Sequence, residues 1–433
     1  YQGYLVSATE YAYSQQTSNN ENSLNGENGG VTLTPYKNHN DVYTVQWTPS
    51  QLPQGGAYSV EISCDNGVGT QRDLFFKGAG TELNPYLLTN ATDLAQINTT
   101  NVEQGNYYKL HQSFNVKLVA KDILENTFDG YFDGNGKTVT VDSGGCGLFG
   151  TLGEHALIED LTVAGDIDAV ANCVGVIASV NNGKIEYCAV SAGIKSSIGT
   201  VGKLEGDSNL ITGGAGGLVG VNNGTVANSA YSGTARANVG AGGIAVINNG
   251  EISNCTYSGT LGAGNAVESG SSTNEMSYMG GIVAINYGKV ELCSTTGRLL
   301  AQRSMTGAGS NNNIGGIVAF NTADGSVERC ITNSQRIYGN NNVGGIVGEN
   351  SGAITYCYVT ANYRSNISSH NYIGGSANVG GIAGLTNAGA TVANCYVLAN
   401  VYAYDGVAYK IAESCENCVY LDGNLDDRNF TVI

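Results

Sequence analysis

Short apolar stretches recur along most of the chain, and each is bounded by glycine and asparagine. The stretch NVGGIVGENSGAITYCYV at 342–359 is representative, because a glycine pair, an aliphatic run, a polar turn and a second apolar piece follow one another up to a cysteine. The apolar pieces are too short and too rich in glycine for helices. This pattern therefore predicts short β-strands that are joined by tight turns.

The pattern is repeated eight times with variable spacing. Consecutive copies lie between 26 and 41 residues apart, so a constant core carries an insert of its own length in each copy. One copy cannot bury its apolar side alone, whereas stacked copies build a continuous core. Three short strands per copy, with corners at Asn-x-Gly turns that tolerate φ > 0, predict an all-β fold, a right-handed parallel β-helix over 147–420. The residues before the first aliphatic position of each copy are Gly147, Val176, Gly217, Gly243, Gly281, Gly316, Gly345 and Gly381.

The two ends of the repeat region have their own patterns. Alternating apolar positions in DVYTVQWTPS and GAYSVEISC indicate strands, and we interpret 1–78 as a small Ig-like β-sandwich domain. We expect the β-helix to span 79–433, with an N-terminal cap over 79–146. Within NATDLAQIN at 90–98, either Asn90 or Thr92 is placed to cap a short helix that would cover the open end of the solenoid.

The motifs GGLVG, GGIVG and GGIAG, each followed by a turn and a cysteine position, resemble the GLUG-motif repeats of bacterial cell-surface proteins. GAGTELNPYLLTNATDLAQI at 78–97, and FDGYFDGNGKTVT with GLFG after it, resemble the lead-in and the first coil of such proteins. The resemblance covers about 79–433 and departs from the family pattern at Val176 and Ser229, which replace a glycine and a cysteine. It implies an extracellular or cell-surface location and an adhesin-like role.

The overall composition agrees with a folded, turn-dense protein and narrows its partners. Glycine accounts for 63 of 433 residues, charged residues for 13%, and the net charge is −17. An acidic chain without a basic stripe argues against binding to nucleic acid or to anionic lipid. No apolar run approaches the ~20 residues that span a bilayer, so we expect no membrane insertion within this chain. We expect a monomer.

Cysteine is the most conspicuous candidate for chemistry, since seven of the 11 share one position of the repeat. A metal site needs ligands that converge on a point, whereas a repeat position gives a row of thiols. We interpret the row as an inward-facing structural ladder, with disulfides between coils or a metal as the alternatives. Cys146 and Cys173 could pair on neighbouring coils, and Cys415-x-x-Cys418 has a redox-like spacing without a second such motif. The ladder consists of Cys188, Cys255, Cys293, Cys330, Cys357, Cys395 and Cys418.

Carboxylates are the second candidate, because they could act as acid and base on a β-helix flank. Glu186, Glu291 and Glu328 lie two residues before the cysteine of their repeats, but Ser253 interrupts the row. We interpret them as solvated side chains. The stretch FDGNG at 132–136 resembles a loose calcium loop, although a tight turn explains it equally well. We therefore predict neither a metal nor a cofactor.

The inserts provide the candidate binding surface. Most of them follow the same corner of the coil, so they should project from one flank, and they are rich in Tyr, Asn and Ser. These residue types suit recognition of a glycan or a protein. The alternative is that loops collect where the coil tolerates them. The inserts span roughly 194–214, 260–279, 299–313, 334–343 and 361–379, and the candidate binding residues are Tyr278, Tyr338, Tyr363 and Tyr372.

Together these features predict a non-enzymatic, extracellular, adhesin-like protein that binds a glycan or a host or cell-surface protein through loops on one flank. One alternative is a carbohydrate-active β-helix enzyme, a lyase or a glycosidase, which would need two opposed carboxylates in a cleft. The other is a structural stalk that spaces another domain from the cell.

Overall fold

The computed structural model is a parallel β-helix, which confirms the predicted fold class. Before residue 80 it describes only the backbone of seven strands. From residue 80 onward it describes 80–97, 105–118, 127–143, 147–169, 173–196, 214–237, 239–263, 278–300, 313–334, 336–360, 373–403, 406–421 and 430–432.

The strands before residue 80 pair antiparallel, unlike those of the β-helix. They confirm a β-region, while its assignment to an Ig-like sandwich stays a prediction. Gln2–Val6 and Tyr36–Lys37 pair with Val42–Gln46, Tyr13–Thr17 pairs with Asn20–Leu24, and Tyr58–Ile62 pairs with Thr70–Leu74.

The seven coils between Val174 and Ala403 pass through four sheets, which we name A to D, in the same order. In the coil that starts at Gly214, the chain runs through Gly214–Gly216 in sheet A, Val219–Asn222 in sheet B and Thr225–Ala227 in sheet C. It then forms two strands in sheet D, Ala230–Tyr231 and Thr234–Ala237. The prediction of three strands per coil is therefore wrong, because the glycine pair separates a strand of sheet A from sheet B and a left-handed residue, Asn228, separates sheet C from sheet D.

Sheet B shows that each repeat makes one coil. Its eight strands are parallel and in sequence order, and each begins two residues after a repeat start predicted above. They are Phe149–Leu152, Ala178–Asn181, Val219–Asn222, Ala245–Asn248, Val283–Asn286, Val318–Asn321, Val347–Asn350 and Ala383–Thr386. Residues at one position on successive coils form a column, and each column is a straight row along the axis of the β-helix.

The other three sheets follow the same stacking. Sheet A consists of Val174–Gly175, Gly214–Gly216, Gly240–Gly242, Tyr278–Gly280, Asn313–Gly315, Val343–Gly344, Val379–Gly380 and Ala408–Tyr409. Sheet C consists of Tyr86–Leu88, Tyr107–Leu110, Tyr131–Asp133, Leu157–Glu159, Lys184–Glu186, Thr225–Ala227, Glu251–Ser253, Lys289–Glu291, Ser326–Glu328, Ala353–Thr355 and Thr391–Ala393.

Sheet D receives two strands from most coils, and its last strand returns antiparallel to the one before it. Its strands are Phe114–Leu118, Thr138–Ser143, Thr162–Ala169, Ala189–Val190, Gly193–Ser196, Ala230–Tyr231, Thr234–Ala237, Thr256–Tyr257, Thr260–Ala263, Ser294–Thr295, Arg298–Leu300, Ile331–Thr332, Arg336–Tyr338, Tyr358–Thr360, Ile373–Gly375, Tyr396–Leu398, Val401–Ala403, Val419–Leu421 and Phe430–Val432.

The glycine pair that opens each repeat lies at the corner between sheets A and B. A Cβ on Gly217 would come within 2.0 Å of the Gly243 carbonyl oxygen on the next coil. Glycine suits this close approach of neighbouring coils and occupies the position in seven of the eight repeats, whereas Val176 occupies it in the other. The aliphatic residue after the pair enters the core, and this column is buried throughout the eight repeats. Its members are Leu148, Ile177, Leu218, Ile244, Ile282, Ile317, Ile346 and Ile382.

The predicted helix covers the N-terminal end of the core. It spans Ala91–Gln96, and the side chain of Asn90, not that of Thr92, caps it by accepting a hydrogen bond from the Asp93 N–H at 2.9 Å. Leu94 and Ile97 are buried in the same core as the coils. This helix is short, and no helix in the described part of the chain is long and apolar enough to cross a membrane.

The corner between sheets C and D is one residue in the left-handed conformation, just before the cysteine position. The sequence analysis expected positive φ at the Asn-x-Gly turns instead. That expectation is wrong for the described turn Asn248-Asn249-Gly250, in which no residue has positive φ. The left-handed residues have φ between 49° and 56°, and they are Asp160, Tyr187, Asn228, Asn254, Leu292, Arg329, Tyr356, Asn394 and Asn417.

Candidate functional site

All seven cysteines of the predicted ladder are buried inside the coils. Each thiol donates a hydrogen bond to the carbonyl two residues earlier, as Cys188 Sγ does to Glu186 O at 3.3 Å. Burial raises the pKa of the Cys188 thiol to about 12 and also raises the pKa of Cys255. Thiols that are enclosed in the core cannot reach a substrate, so the geometry gives this row a packing role.

The remaining cysteines that the sequence singled out lie near the two ends of the ladder. Cys173 is buried beside sheet A, and its expected partner Cys146 lies outside the described residues, so that pairing stays a prediction. Cys415 is half-buried next to Cys418, and burial raises the pKa of its thiol to about 12. In the described part of the chain, no group of three or more His, Cys, Asp or Glu side chains could hold a metal ion.

The three glutamates of the sequence analysis form ion pairs on the outer face of sheet C. Glu186 pairs with Lys184 at 2.7 Å and Glu291 with Lys289 at 2.8 Å. Glu328 pairs with the neighbouring Arg329 at 2.7 Å. A carboxylate that is held in an ion pair by a base on its own strand or corner is not free to transfer a proton to a substrate.

The four predicted tyrosines do not form one site. Tyr278 begins a strand of sheet A and is half-buried. Tyr338 ends a strand of sheet D and is only 8% exposed, with the Arg336 guanidinium 4.9 Å from its ring centroid. The expectation that Tyr338 lies on a projecting insert is wrong, because its segment closes the coil as a strand. Tyr363 and Tyr372 lie outside the described residues.

The inserts do not all start at one corner. Segments 197–213, 264–277 and 301–312 join sheet D to sheet A, whereas 361–372 joins the two strands of sheet D within one coil. The first three therefore end where strands of sheet A begin, at Gly214, Tyr278 and Asn313. This places Tyr278 at the junction between an insert and the β-helix.

Tyr278 lies where the outer faces of sheets A and B meet in a packed junction, which we call the A/B cleft. One wall is the sheet A column Tyr278, Asn313 and Asn342, and the other is the sheet B column that includes Phe320 and Glu349. The Tyr278 and Phe320 ring centroids are 6.5 Å apart, which shows that the walls meet.

One half of the A/B cleft is apolar. Ile247, Ile285 and Phe320 are at most 8% exposed, although they belong to a cluster that is separate from the interior core. Tyr278 and Tyr287 are partly buried and pack against this cluster. Burial raises the pKa of the Tyr278 hydroxyl, and so does the negative charge of Glu349. The hydroxyl therefore remains protonated, so it can serve as a hydrogen-bond donor at physiological pH.

The other half of the A/B cleft is polar and centres on Glu349. Its Oε2 accepts hydrogen bonds from Asn313 Nδ2 at 2.9 Å and Asn342 Nδ2 at 3.4 Å, and its Oε1 accepts one from Asn387 Nδ2 at 3.0 Å. Asn378 Nδ2 continues this network by donating to Asn342 Oδ1 at 2.9 Å. These amides fix the carboxylate beside the aromatic pair, which gives a rigid polar and aromatic surface.

A second exposed surface lies on the corner between sheets C and D, and we call it the corner strip. It consists of bulky side chains on four successive coils. Leu292 and Ile331 are 52% and 44% exposed, and Tyr356 and Tyr358 are both 49% exposed. The Tyr358 ring lies 5.8 Å from that of Tyr396 on the next coil.

The sequence analysis missed both surfaces, yet each leaves a signal in the repeats. Glu349 is a charged residue in a column whose other members are mostly apolar, such as Ile247, Ile285 and Phe320. The corner strip begins where Leu292 occupies a left-handed position that holds Asn on the two preceding coils. Comparison of the repeats column by column would have identified both departures.

Comparison with known proteins agrees with this architecture. The model of the GLUG motif matches residues 339–363. The chain is 28% identical over 173 residues to Halomucin of Haloquadratum walsbyi, which covers 36% of this chain and 2% of that protein. It is also 28% identical over 138 residues to a protein of Evansella cellulosilytica named as a Gly-rich membrane protein, which covers 28% of this chain and 16% of that protein. The chain thus spans a small fraction of either relative.

Among solved structures, the chain is similar to an IgA1 protease with a TM-score of 0.44 and 15% identity, over 90% of this chain and 29% of that one. A similarity at this level carries no information about function. The motif match falls on the coil of Val343–Gly344 and Val347–Asn350, whose Gly-Gly-aliphatic pattern recurs around the β-helix. The chain therefore carries the GLUG motif on a parallel β-helix with one repeat per coil.

Proposed function

We propose that this chain belongs to an extracellular surface protein and binds a glycan at the A/B cleft without catalysing a reaction. The observation that carries the proposal is the Tyr278–Phe320 pair beside the fixed Glu349 carboxylate. Saccharides present apolar C–H faces and rings of hydroxyls, and sites that combine an aromatic ring with a few fixed polar groups suit both. The inserts that end at sheet A would extend this surface, as the sequence predicts.

The surface location is supported by the relatives and by the charge of the chain. One relative is named as a membrane protein, and the resemblance to GLUG repeats implies a location at the cell surface. A net charge of −17 also suits a protein that must remain soluble at a crowded surface.

A binding role fits Glu349 better than a catalytic one. Glycoside hydrolysis uses two carboxylates on opposite sides of the scissile bond, roughly 5–10 Å apart. Both oxygens of Glu349 already accept amide hydrogen bonds. Asn313 and Asn342 occupy the wall opposite it, where a second carboxylate would be needed.

A glycan array with the purified chain tests the proposal, together with variants that borrow residues from the same columns. Tyr278→Asn introduces the residue type that Asn313 has at the same position of the next coil, and Phe320→Ile introduces the type that Ile285 has on the preceding coil. Both variants should therefore fold normally. We expect each variant to bind the selected glycan about tenfold more weakly, as the loss of one aromatic contact implies. Tyr187→Asn, at an exposed position outside the cleft, is the control and should retain binding.

Two results would contradict the proposal. One is that the intact chain binds no glycan on the array, and the other is that both cleft variants bind as well as the intact chain. Release of reducing sugars from a bound glycan would instead favour the enzymatic alternative. Binding to a surface protein and to no glycan would move the ligand class from saccharide to protein.

A further inference from the structure

The corner strip combines exposure with an unfavourable backbone conformation. Leu292, Arg329 and Tyr356 have φ of 54°, 52° and 56°, whereas the same column holds asparagine at Asn228 and Asn254. Bulky residues rarely adopt this left-handed conformation, and strained positions that persist concentrate at functional sites. Since Leu292 and Tyr356 are about half exposed, burial in the core does not explain their retention.

The geometry of the strip is set by the stacking of the coils. Tyr358 is in register with Ile331 on one side and with Tyr396 on the other. Successive strands lie ~4.8 Å apart, so four coils give a strip roughly 15 Å long that is parallel to the axis of the β-helix. The strip is therefore a narrow, flat platform of side chains in a straight row.

The charges beside the strip cancel one another. The Arg329 guanidinium pairs with Glu328 and lies 5.8 Å from the Tyr356 ring centroid. On the preceding coil, Lys289 pairs with Glu291. A surface whose ions are internally paired is complementary to a neutral ligand and not to a polyanion.

The size of the strip distinguishes between two possible occupants. A stable dimer usually buries about 800 Å² per partner, and a platform two side chains wide and ~15 Å long provides far less. A linear saccharide chain needs only such a narrow row, because each pyranose ring places one apolar face on one aromatic or aliphatic side chain.

We propose that the corner strip is a polysaccharide-binding site that takes an extended, neutral glycan chain along the axis of the β-helix. Tyr358 and Tyr396 stack on successive sugar rings, Tyr356 widens the platform on the coil of Tyr358, and Leu292 and Ile331 extend the platform by two coils. This site is separate from the A/B cleft, and it does not depend on the function proposed for that cleft.

Affinity electrophoresis tests the proposal with native gels that contain hydroxyethyl cellulose, arabinoxylan or galactomannan, and polygalacturonate as the polyanion. The triple variant Tyr356→Asn, Tyr358→Thr, Tyr396→Thr uses the residues that Asn254 and Thr256 provide on another coil. We expect at least one neutral polysaccharide to retard the intact chain. The triple variant should bind it at least about tenfold more weakly and keep its melting temperature.

Tyr187→Asn is the matched control, because Tyr187 is exposed at the same corner position three coils before Leu292, and it should be retarded as strongly as the intact chain. No retardation of the intact chain by any neutral polysaccharide would overturn the proposal, and so would equal retardation of the triple variant. Retardation that only Tyr278→Asn abolishes would assign the binding to the A/B cleft. A dimer in sedimentation velocity that the triple variant abolishes would show that a second copy of the chain covers the strip.

Discussion

Leu292 shows how a single residue can oppose the geometry of its coil. Its φ of 54° is rarely adopted by branched side chains, and the same position holds Asn254 on the preceding coil. Asn254 Nδ2 donates to Asn228 Oδ1 at 2.7 Å, so asparagine offers both a tolerated conformation and a stacked hydrogen bond.

We therefore expect Leu292→Asn to stabilise the protein by about 1 kcal/mol, because it removes most of the left-handed penalty of a bulky residue. Urea unfolding checks this through the midpoint at an unchanged m-value. The reverse change, Asn254→Leu, should destabilise by a similar amount. If Leu292→Asn instead lowers the free energy of unfolding, the contacts of the leucine side chain stabilise the protein by more than the left-handed backbone destabilises it.

Glu159 illustrates a second effect of stacking at the residue scale. It lies between Asp133 and Glu186 in one column of sheet C. Its pKa is raised, first by partial burial and then by the charges of Asp133, Asp160 and Glu186. The folded state thus binds this proton more tightly than the unfolded chain does, so stability from this group is present at low pH and lost as pH rises through the raised pKa.

Glu159→Gln should consequently raise the melting temperature at pH 7 and have little effect near pH 3.5. Thermal unfolding across this range measures the difference. Glu154→Gln, at an exposed position outside the column, controls for the loss of one negative charge from an acidic protein. If Glu159→Gln raises the melting temperature equally at both pH values, charge repulsion within the column is not the cause of the increase.

At the scale of the element, a buried asparagine ladder ends the strands of sheet B. Asn222 Nδ2 donates to Asn248 Oδ1, and Asn248 Nδ2 donates to Asn286 Oδ1, both at 2.8 Å. Each amide also donates to backbone carbonyls of the turn, so the ladder satisfies groups that would otherwise be buried without a partner. The ladder comprises Asn181, Asn222, Asn248, Asn286, Asn321 and Asn350.

Asn248→Ala should destabilise the protein by about 3 kcal/mol, because it leaves buried partners on two neighbouring coils unsatisfied. The next residue provides a matched control. Asn249 is exposed and donates to Asn223 Oδ1 at 2.8 Å, and Asn249→Ala should change stability by less than about 0.5 kcal/mol. Equal effects of the two substitutions in urea unfolding would refute a special role for the buried row.

The cysteine column also lies in the interior of the coils. Since its thiols are enclosed, iodoacetamide at pH 8 should leave the seven column cysteines unmodified in the native protein. After denaturation without a reductant, the same seven should be alkylated, as peptide mass spectrometry would show. Native labelling at Cys357 would contradict the burial of the row, and resistance after denaturation would indicate disulfides between coils.

At the scale of the whole molecule, the repeat itself made the fold predictable. The glycine pair and the aliphatic residue after it mark most of the coils, because neighbouring coils approach closely at this corner. The four-sheet cross-section was not predictable, because strands of two or three residues, such as Ala230–Tyr231, have no periodicity of their own. The A/B cleft was missed because Tyr278 and Glu349 are 71 positions apart in sequence and meet only through stacking.

The position of both proposed surfaces depends on one coil per repeat, stacked in register. Distances between spin labels on one column of sheet C measure this directly. Tyr107, Lys184, Ser326 and Thr391 belong to that column, and Lys184 is four steps from Ser326 and six from Thr391. Tyr107 is three further steps away on the opposite side of Lys184.

Spin labels that are attached to an introduced amino acid with a ketone side chain avoid the native thiols. Pulsed electron–electron double resonance then measures the distance between two such labels. At ~4.8 Å per coil, we predict about 19 Å for Lys184–Ser326, about 29 Å for Lys184–Thr391 and about 43 Å for Tyr107–Thr391. A linear increase with the number of coils would establish the stacked register. Distances that fail to increase in this order would contradict it, and with it the placement of the A/B cleft and the corner strip.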